Sequence, residues 1–141
     1  MRKRKEEMSV IEAKRKQSGV QFLSTAMKIA EHTFKYTTSK KFDKCDKDVV
    51  RRVRDLSLEI LVEVEKANAI FPKCQIDVEQ RYIHFISAIG SCEALCSLLC
   101  IVKYSITNKI TAYGWQKWGE YLGEEISLIK GIINSDKNLQ F

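Results

Sequence analysis

Cys92, Cys96 and Cys100 recur every four residues in the second half of the chain. On a helix that spacing lines three thiols along one face, and thiol clusters are the raw material of metal and iron–sulfur sites. The surroundings do not complete such a site. There is no C-x-x-C pair and no adjacent histidine, whereas structural zinc takes four ligands at short, defined spacings. Free cysteine is also a common small core residue, and packing is the plainer reading. His32 and His84 are the only histidines. No H-E-x-x-H, G-x-S-x-G or glycine-rich phosphate loop is present. Glu124 and Glu125 are adjacent on the last helix without an evident acid–base partner, so a satisfied or surface role is expected for them. The residues thus point away from catalysis and require no metal or cofactor.

The charge distribution carries more information. The 141 residues have a net charge of +6, unevenly placed. Residues 1–16 sum to +4, residues 28–54 to +5 and residues 55–70 to −3, while the remainder is neutral. A basic half on a neutral body suits a polyanion, bound with release of its counterions; a solubilising surface is the alternative. The densest cluster is at the start of a helix expected over 46–68. At about 100° per residue, Lys47, Arg51 and Arg54 share one face, opposite Val49, Val53 and Leu56. Arg52 lies at its edge, and Lys40, Lys41 and Lys44 precede it. Guanidinium groups donate to phosphate in bidentate fashion. One turn further along, Leu58, Leu61 and Val62 point away from the core stripe. A helix with two apolar faces needs two partners, and a second subunit is the expected one. Trp115, Trp118 and Tyr121 have the chemistry to stack on bases. At helical spacing the two tryptophans read as core, while Tyr113 and Tyr121 lie off the stripe.

The elements that must position these groups are helical. Hydrophobic residues make up 45% of the chain and charged residues 30%, with a single proline and six glycines. That composition leaves room for long helices and little for a turn-rich β fold. A basic, charged arm occupies 1–17. A first helix spans 19–38 on a stripe of Leu23, Met27, Ala30, Phe34 and Thr37. Asp46 or Asp48 caps the second helix, whose stripe is Val49, Val53, Leu56, Ile60, Val64 and Ala67, and Phe71-Pro72 ends it. A third helix spans 76–104, apolar nearly all round. Val78, Tyr82, Phe85, Ile89, Cys92, Cys96 and Leu99 face one way, widened by Ile83, Ile86, Leu95 and Val102. A turn at 105–108 leads to a fourth helix over 111–134, with Trp115, Trp118, Leu122, Ile126, Ile129 and Ile133 inward. The bundle is expected over 18–136, with a fraying polar tail at 137–141. The expected fold is all-α: an up-down-up-down four-helix bundle. Residues 82–102 match the length of a bilayer span, but Glu93, three serines and Gly90 dilute them, and a buried bundle helix explains them better. Five cysteines, an odd number, and the lack of an apolar run in the first 20 residues fit free thiols in a reducing cytoplasm.

With these elements in place, roughly residues 22–134 resemble the accessory variability determinant proteins of diversity-generating retroelements. The resemblance is carried by Tyr36 with Lys40-Lys41-Phe42, Arg52-Val53-Arg54, Leu58-Glu59-Ile60-Leu61 and Ala67-Asn68. It continues through Leu95 and Leu99, the stretch from Ile110 to Leu122, and Glu125-Ile126, Ile129 and Gly131-Ile132-Ile133. Each motif is degenerate, and the signal lies in their order and spacing. The resemblance implies a four-helix bundle assembled as a basic, barrel-like homopentamer without a catalytic centre. It also implies binding to the element's reverse transcriptase and template RNA, with its cDNA, in support of mutagenic retrohoming. Proteins encoded by intervening sequences of large-subunit ribosomal RNA genes share the bundle pattern, which makes a ribosomal-RNA-associated bundle without a polymerase partner the alternative. The chain departs from both in its basic arm 1–17 and its cysteine-rich third helix.

Overall fold

The computed structural model describes residues 21–38, 42, 45–105 and 110–141. Within them lie four helices and no strand: α1 (residues 21–37), α2 (Lys47–Ala69), α3 (Gln75–Ser105) and α4 (Ala112–Lys137). The all-α expectation holds. The basic arm 1–17 lies outside the described residues, as does most of the expected turn at 105–108.

The helix ends follow from local chemistry. The Asp46 carboxylate accepts the N–H groups of Asp48 at 2.8 Å and Val49 at 3.3 Å, capping α2. Pro72 follows the Ile70 cap and cannot continue the ladder. Thr111, expected inside the last helix, instead caps it by accepting the Gly114 N–H at 3.1 Å.

The core is one cluster drawn from all four helices. The α2 stripe is as expected, with Val53, Leu56, Ile60, Val64 and Ala67 buried and Val49 packed at the edge. The α1 stripe is so only in part: Ala30 and Thr37 are buried and Leu23 packs at the edge, but Met27 and Phe34 are exposed, and the inward face is centred on Phe22, Ala26, Ile29, Thr33 and Tyr36. Met27 is 50% exposed. Part of the cause is Thr25 and Thr33, which pass for polar surface. Thr33 and Thr37 donate their hydroxyls to the carbonyls of Ile29 and Thr33, each at 2.7 Å, and so satisfy themselves inside the bundle. Thr25 is buried beside them and donates to Glu124.

Thr33 has a second partner. Trp118 on α4 is fully buried, and its indole N–H donates to the Thr33 hydroxyl at 2.9 Å. One turn earlier on α4, Gly114 sits against Tyr36: a Cβ there would lie 2.8 Å from the Tyr36 ring and 2.9 Å from Ile110. The absent side chain lets α1 and α4 approach closely. Phe42 and Tyr36 complete the aromatic shell around Trp118.

The far end of the bundle is clamped by Arg81. Its Nε donates to Asp136 of α4 at 2.8 Å, and its Nη1 donates to the Ile70 carbonyl at 2.8 Å at the end of α2. The expectation of a helix ending near Asn134 with a fraying tail therefore needs correction. Asp136 is buried, α4 runs to Lys137, and the Asn138 and Leu139 N–H groups bond back to Ser135 and Asp136.

α3 also departs from its expected packing. Val78, Phe85, Ile89, Cys92, Leu95, Leu99 and Val102 are inside, but Tyr82, Ile83 and Ile86 are exposed. Periodicity cannot choose a side on a helix that is apolar all round. By length and composition this helix is apolar enough to cross a membrane, and only 39% of its most apolar stretch is buried.

Replacing Thr33 by Val removes the acceptor for a buried indole N–H while keeping the shape. We expect Thr33→Val to cost roughly 1–3 kcal/mol, read as a lower urea midpoint at unchanged slope, whereas Thr38→Val on the exposed side should be close to neutral.

Candidate nucleic-acid interface

Lys47, Arg51 and Arg52 project from the first two turns of α2, and all three are exposed. No carboxylate pairs with any of them among the described residues, where the ion pairs are Lys66–Glu63, Arg81–Asp136, His84–Glu63 and Lys117–Glu120. The helix start itself is already occupied, since Asp46 places its carboxylate on two of the first-turn N–H groups, so the row's pull on an anion comes from its three side chains.

Arg54 does not belong to this outward row. It is half-buried, and its Nε and Nη2 donate to the Thr37 hydroxyl and the Thr37 carbonyl, both at 2.9 Å. The guanidinium lies 5.6 Å from the Phe34 ring centroid. It therefore closes the C-terminus of α1 and ties it to α2, which is a structural task. Helical rotation alone put it beside Lys47 and Arg51; the end of α1 claims it. Lys40, Lys41 and Lys44 lie outside the described residues.

The apolar group next to the basic row divides as well. Leu58 and Val62 are 41% and 48% exposed, while Leu61 is partly buried against the core. An outward apolar pair thus sits one to three turns from the basic row on the same helix.

The other chemistry-bearing residues are accounted for by packing. Cys92 is buried, Cys96 half-buried and Cys100 exposed, so the three thiols face three different environments. Burial pushes the Cys92 thiol far up, and the neighbouring Glu125 adds to that. Among the described residues no group of three or more His, Cys, Asp or Glu side chains is arranged to hold a metal ion. His32 Nε2 lies 2.9 Å from the Gly114 carbonyl, which can only accept, so the ring donates there. Burial holds His32 below its ordinary pKa. His84 donates Nδ1–H to Glu63 at 2.7 Å. Trp118 is core and Trp115 half-buried, stacked on it with centroids 5.6 Å apart, while Tyr113 is exposed.

Glu125 corrects an expectation. It is fully buried, and neither carboxylate oxygen has a hydrogen-bond partner. Burial, aided by the charge of Glu124, raises its pKa to about 8. Neutral Glu125 is a tolerable core side chain; ionised Glu125 is not.

Comparison with protein-family models, with characterised proteins and with solved structures finds no match to this chain.

Two outcomes follow from this geometry. Arg54→Ala should lower stability by roughly 1–3 kcal/mol through the lost Thr37 contacts, whereas Arg51→Ala should stay within about 0.5 kcal/mol, both by chemical denaturation. For Glu125 the folded pKa lies above the unfolded one, so the native state holds the extra proton. Its stabilisation is complete below the ordinary carboxylate range and declines by about 1.4 kcal/mol per pH unit until about pH 8. Between pH 6.5 and 8, unfolding free energy should fall in the wild type and stay flatter in Glu125→Gln; parallel curves would show that Glu125 is ionised throughout.

Proposed function

We propose that this chain is a non-catalytic, cytoplasmic accessory protein of a diversity-generating retroelement. In this reading it is an up-down-up-down bundle that self-associates, as a pentamer by the resemblance. It binds the element's reverse transcriptase and template RNA, with its cDNA, in support of mutagenic retrohoming. The observation that carries the reading is the outward row of Lys47, Arg51 and Arg52, exposed and without a carboxylate partner. The helix order fits too: Thr25, His32 and Thr33 of α1 meet Glu124, Gly114 and Trp118 of α4, and Glu63 and Glu59 of α2 meet His84 and Ser91 of α3.

The mechanism is electrostatic positioning. Each cation placed on a phosphate releases a condensed counterion, which gives affinity without sequence preference. A single chain offers few such contacts. Repetition of the row around an oligomer turns modest contacts into avidity, because each later contact is intramolecular. The exposed Leu58 and Val62 beside the row offer the apolar area that such an oligomer or a polymerase would cover.

The charge-removal variant Lys47→Ala/Arg51→Ala/Arg52→Ala tests the site. Binding to single-stranded RNA should weaken, and the slope of log K against log salt should shallow by about 2 per engaged subunit, with helicity unchanged. An unaltered slope would make the row a solvated surface. Co-purification with a diversity-generating retroelement reverse transcriptase, before and after RNase, tests the partner. Retention of RNA without polymerase would return the chain to the ribosomal-RNA-associated alternative.

A further inference from the structure

The basic row of α2 runs into an exposed aromatic ring. Lys47, Arg51 and Arg54 lie on one stripe of the helix, since steps of four and three return to the same face. Arg54, at the inner end of the stripe, holds its guanidinium 5.6 Å from the ring centroid of Phe34 in the last turn of α1. That ring is 36% exposed. From Lys47 to Arg54 the helix rises about 10 Å. Two outward cations and then a ring therefore follow one another along one short track.

The ring stands on a fixed support. Arg54 donates to the Thr37 hydroxyl and to the Thr37 carbonyl, both at 2.9 Å, so its guanidinium stays on the ring rather than swinging out. The charges beside the ring differ from those along the row. Glu31, one turn before Phe34, and Asp55, next to Arg54, are both exposed. Lys35, the residue after Phe34, holds its ammonium 5.6 Å from the Tyr36 ring. The acidic neighbours repel a phosphate placed over Phe34, whereas an uncharged base with a flat π face fits there. Only an unpaired base can use it, because a base inside a duplex has its faces covered by its neighbours in the stack. Tyr113 on α4 lacks this combination: the cation beside it, Lys117, is paired with Glu120 at 3.1 Å.

We propose that Phe34 is a stacking platform for an unpaired base whose adjoining phosphates lie on Arg51 and Lys47, so that this surface selects single-stranded nucleic acid over duplex. The inference rests on the RNA reading of the row and adds the class of nucleic acid to it. Arg54 is a positioning residue that keeps the ring in place. The two parts of the surface act differently. The cations set how affinity depends on salt, because each phosphate contact releases a counterion. The ring adds a contribution that salt hardly alters and that a duplex does not receive.

Binding of the full chain to a single-stranded RNA and to a duplex of the same length, each titrated over a range of salt, tests the proposal. The wild type should bind the single strand more tightly. Phe34→Leu should weaken the single strand by about 5- to 150-fold at unchanged salt slope and leave the duplex as it was. Phe34→Tyr keeps the ring and should keep wild-type affinity, and Tyr113→Leu should change neither. A strand of abasic sites with the same number of phosphates supplies a readout on the wild type alone: it should bind about as weakly as the intact strand binds Phe34→Leu. Wild-type protein that holds abasic and intact strands equally overturns the proposal, whatever the fold of the variants. So does an equal loss on single strand and duplex in Phe34→Leu, or no loss on either. Those outcomes leave the cationic row standing, whereas an unaltered salt slope in Lys47→Ala/Arg51→Ala/Arg52→Ala removes the RNA reading itself.

Discussion

A tryptophan in the middle of a helical bundle brings an N–H that must be bonded, and in this chain one threonine hydroxyl provides for it. Thr33 accepts from Trp118 and donates to the Ile29 carbonyl, so the indole, the hydroxyl and the helix backbone form a continuous chain. That chain fixes the rotation of α1 about its own axis and its register against α4. Gly114 sits one turn away and removes the side chain that would hold the two helices apart. With α1 so placed, the Thr37 hydroxyl and carbonyl at its C-terminus accept from Arg54, which draws the start of α2 against that end. The outward direction of Lys47, Arg51 and Arg52 is what remains once that packing is satisfied.

The opposite end of the bundle obeys the same constraint with different residues. Arg81 closes the carbonyl end of α2 and holds the Asp136 carboxylate of α4 at once. Both ends are thus held by a guanidinium that donates to a backbone carbonyl, and the N–H groups so used are taken up within the fold. Charge counting along the chain does not separate such arginines from free ones. Only the identity of the neighbouring helix end does.

Much of the fold was legible from residue pattern. The α2 stripe, the Asp46 cap and the stop at Pro72 follow from local rules that no distant contact overrides. The face of α1 was legible only at Ala30 and Thr37, because Thr33, which bonds its own backbone, looks like surface in a hydropathy pattern and behaves as core. The inward stripe of α3 was legible in Val78, Phe85, Ile89, Cys92 and Leu99, but its width was not, because a helix apolar all round does not mark Tyr82, Ile83 and Ile86 as outward. Glu125 and Asp136 were missed because a buried carboxylate gives no local signal: one is buried without any hydrogen-bond partner, the other by an arginine 55 residues away. Of the candidate site, Lys47, Arg51, Arg52, Leu58 and Val62 stand outward as rotation implies, whereas Arg54 and Leu61 are held by contacts that rotation cannot anticipate.

The core sets the geometry, and the outward α2 row of Lys47, Arg51 and Arg52 is the surface we propose for RNA. The most direct test of that proposal is ultraviolet cross-linking of the purified protein to single-stranded RNA, followed by identification of the modified peptides. The account predicts modification concentrated on the stretch that holds Lys47, Arg51 and Arg52, and lost when those three side chains are neutralised. Modification confined to the exposed aromatic side of α4 around Tyr113, or unchanged by their loss, would contradict it.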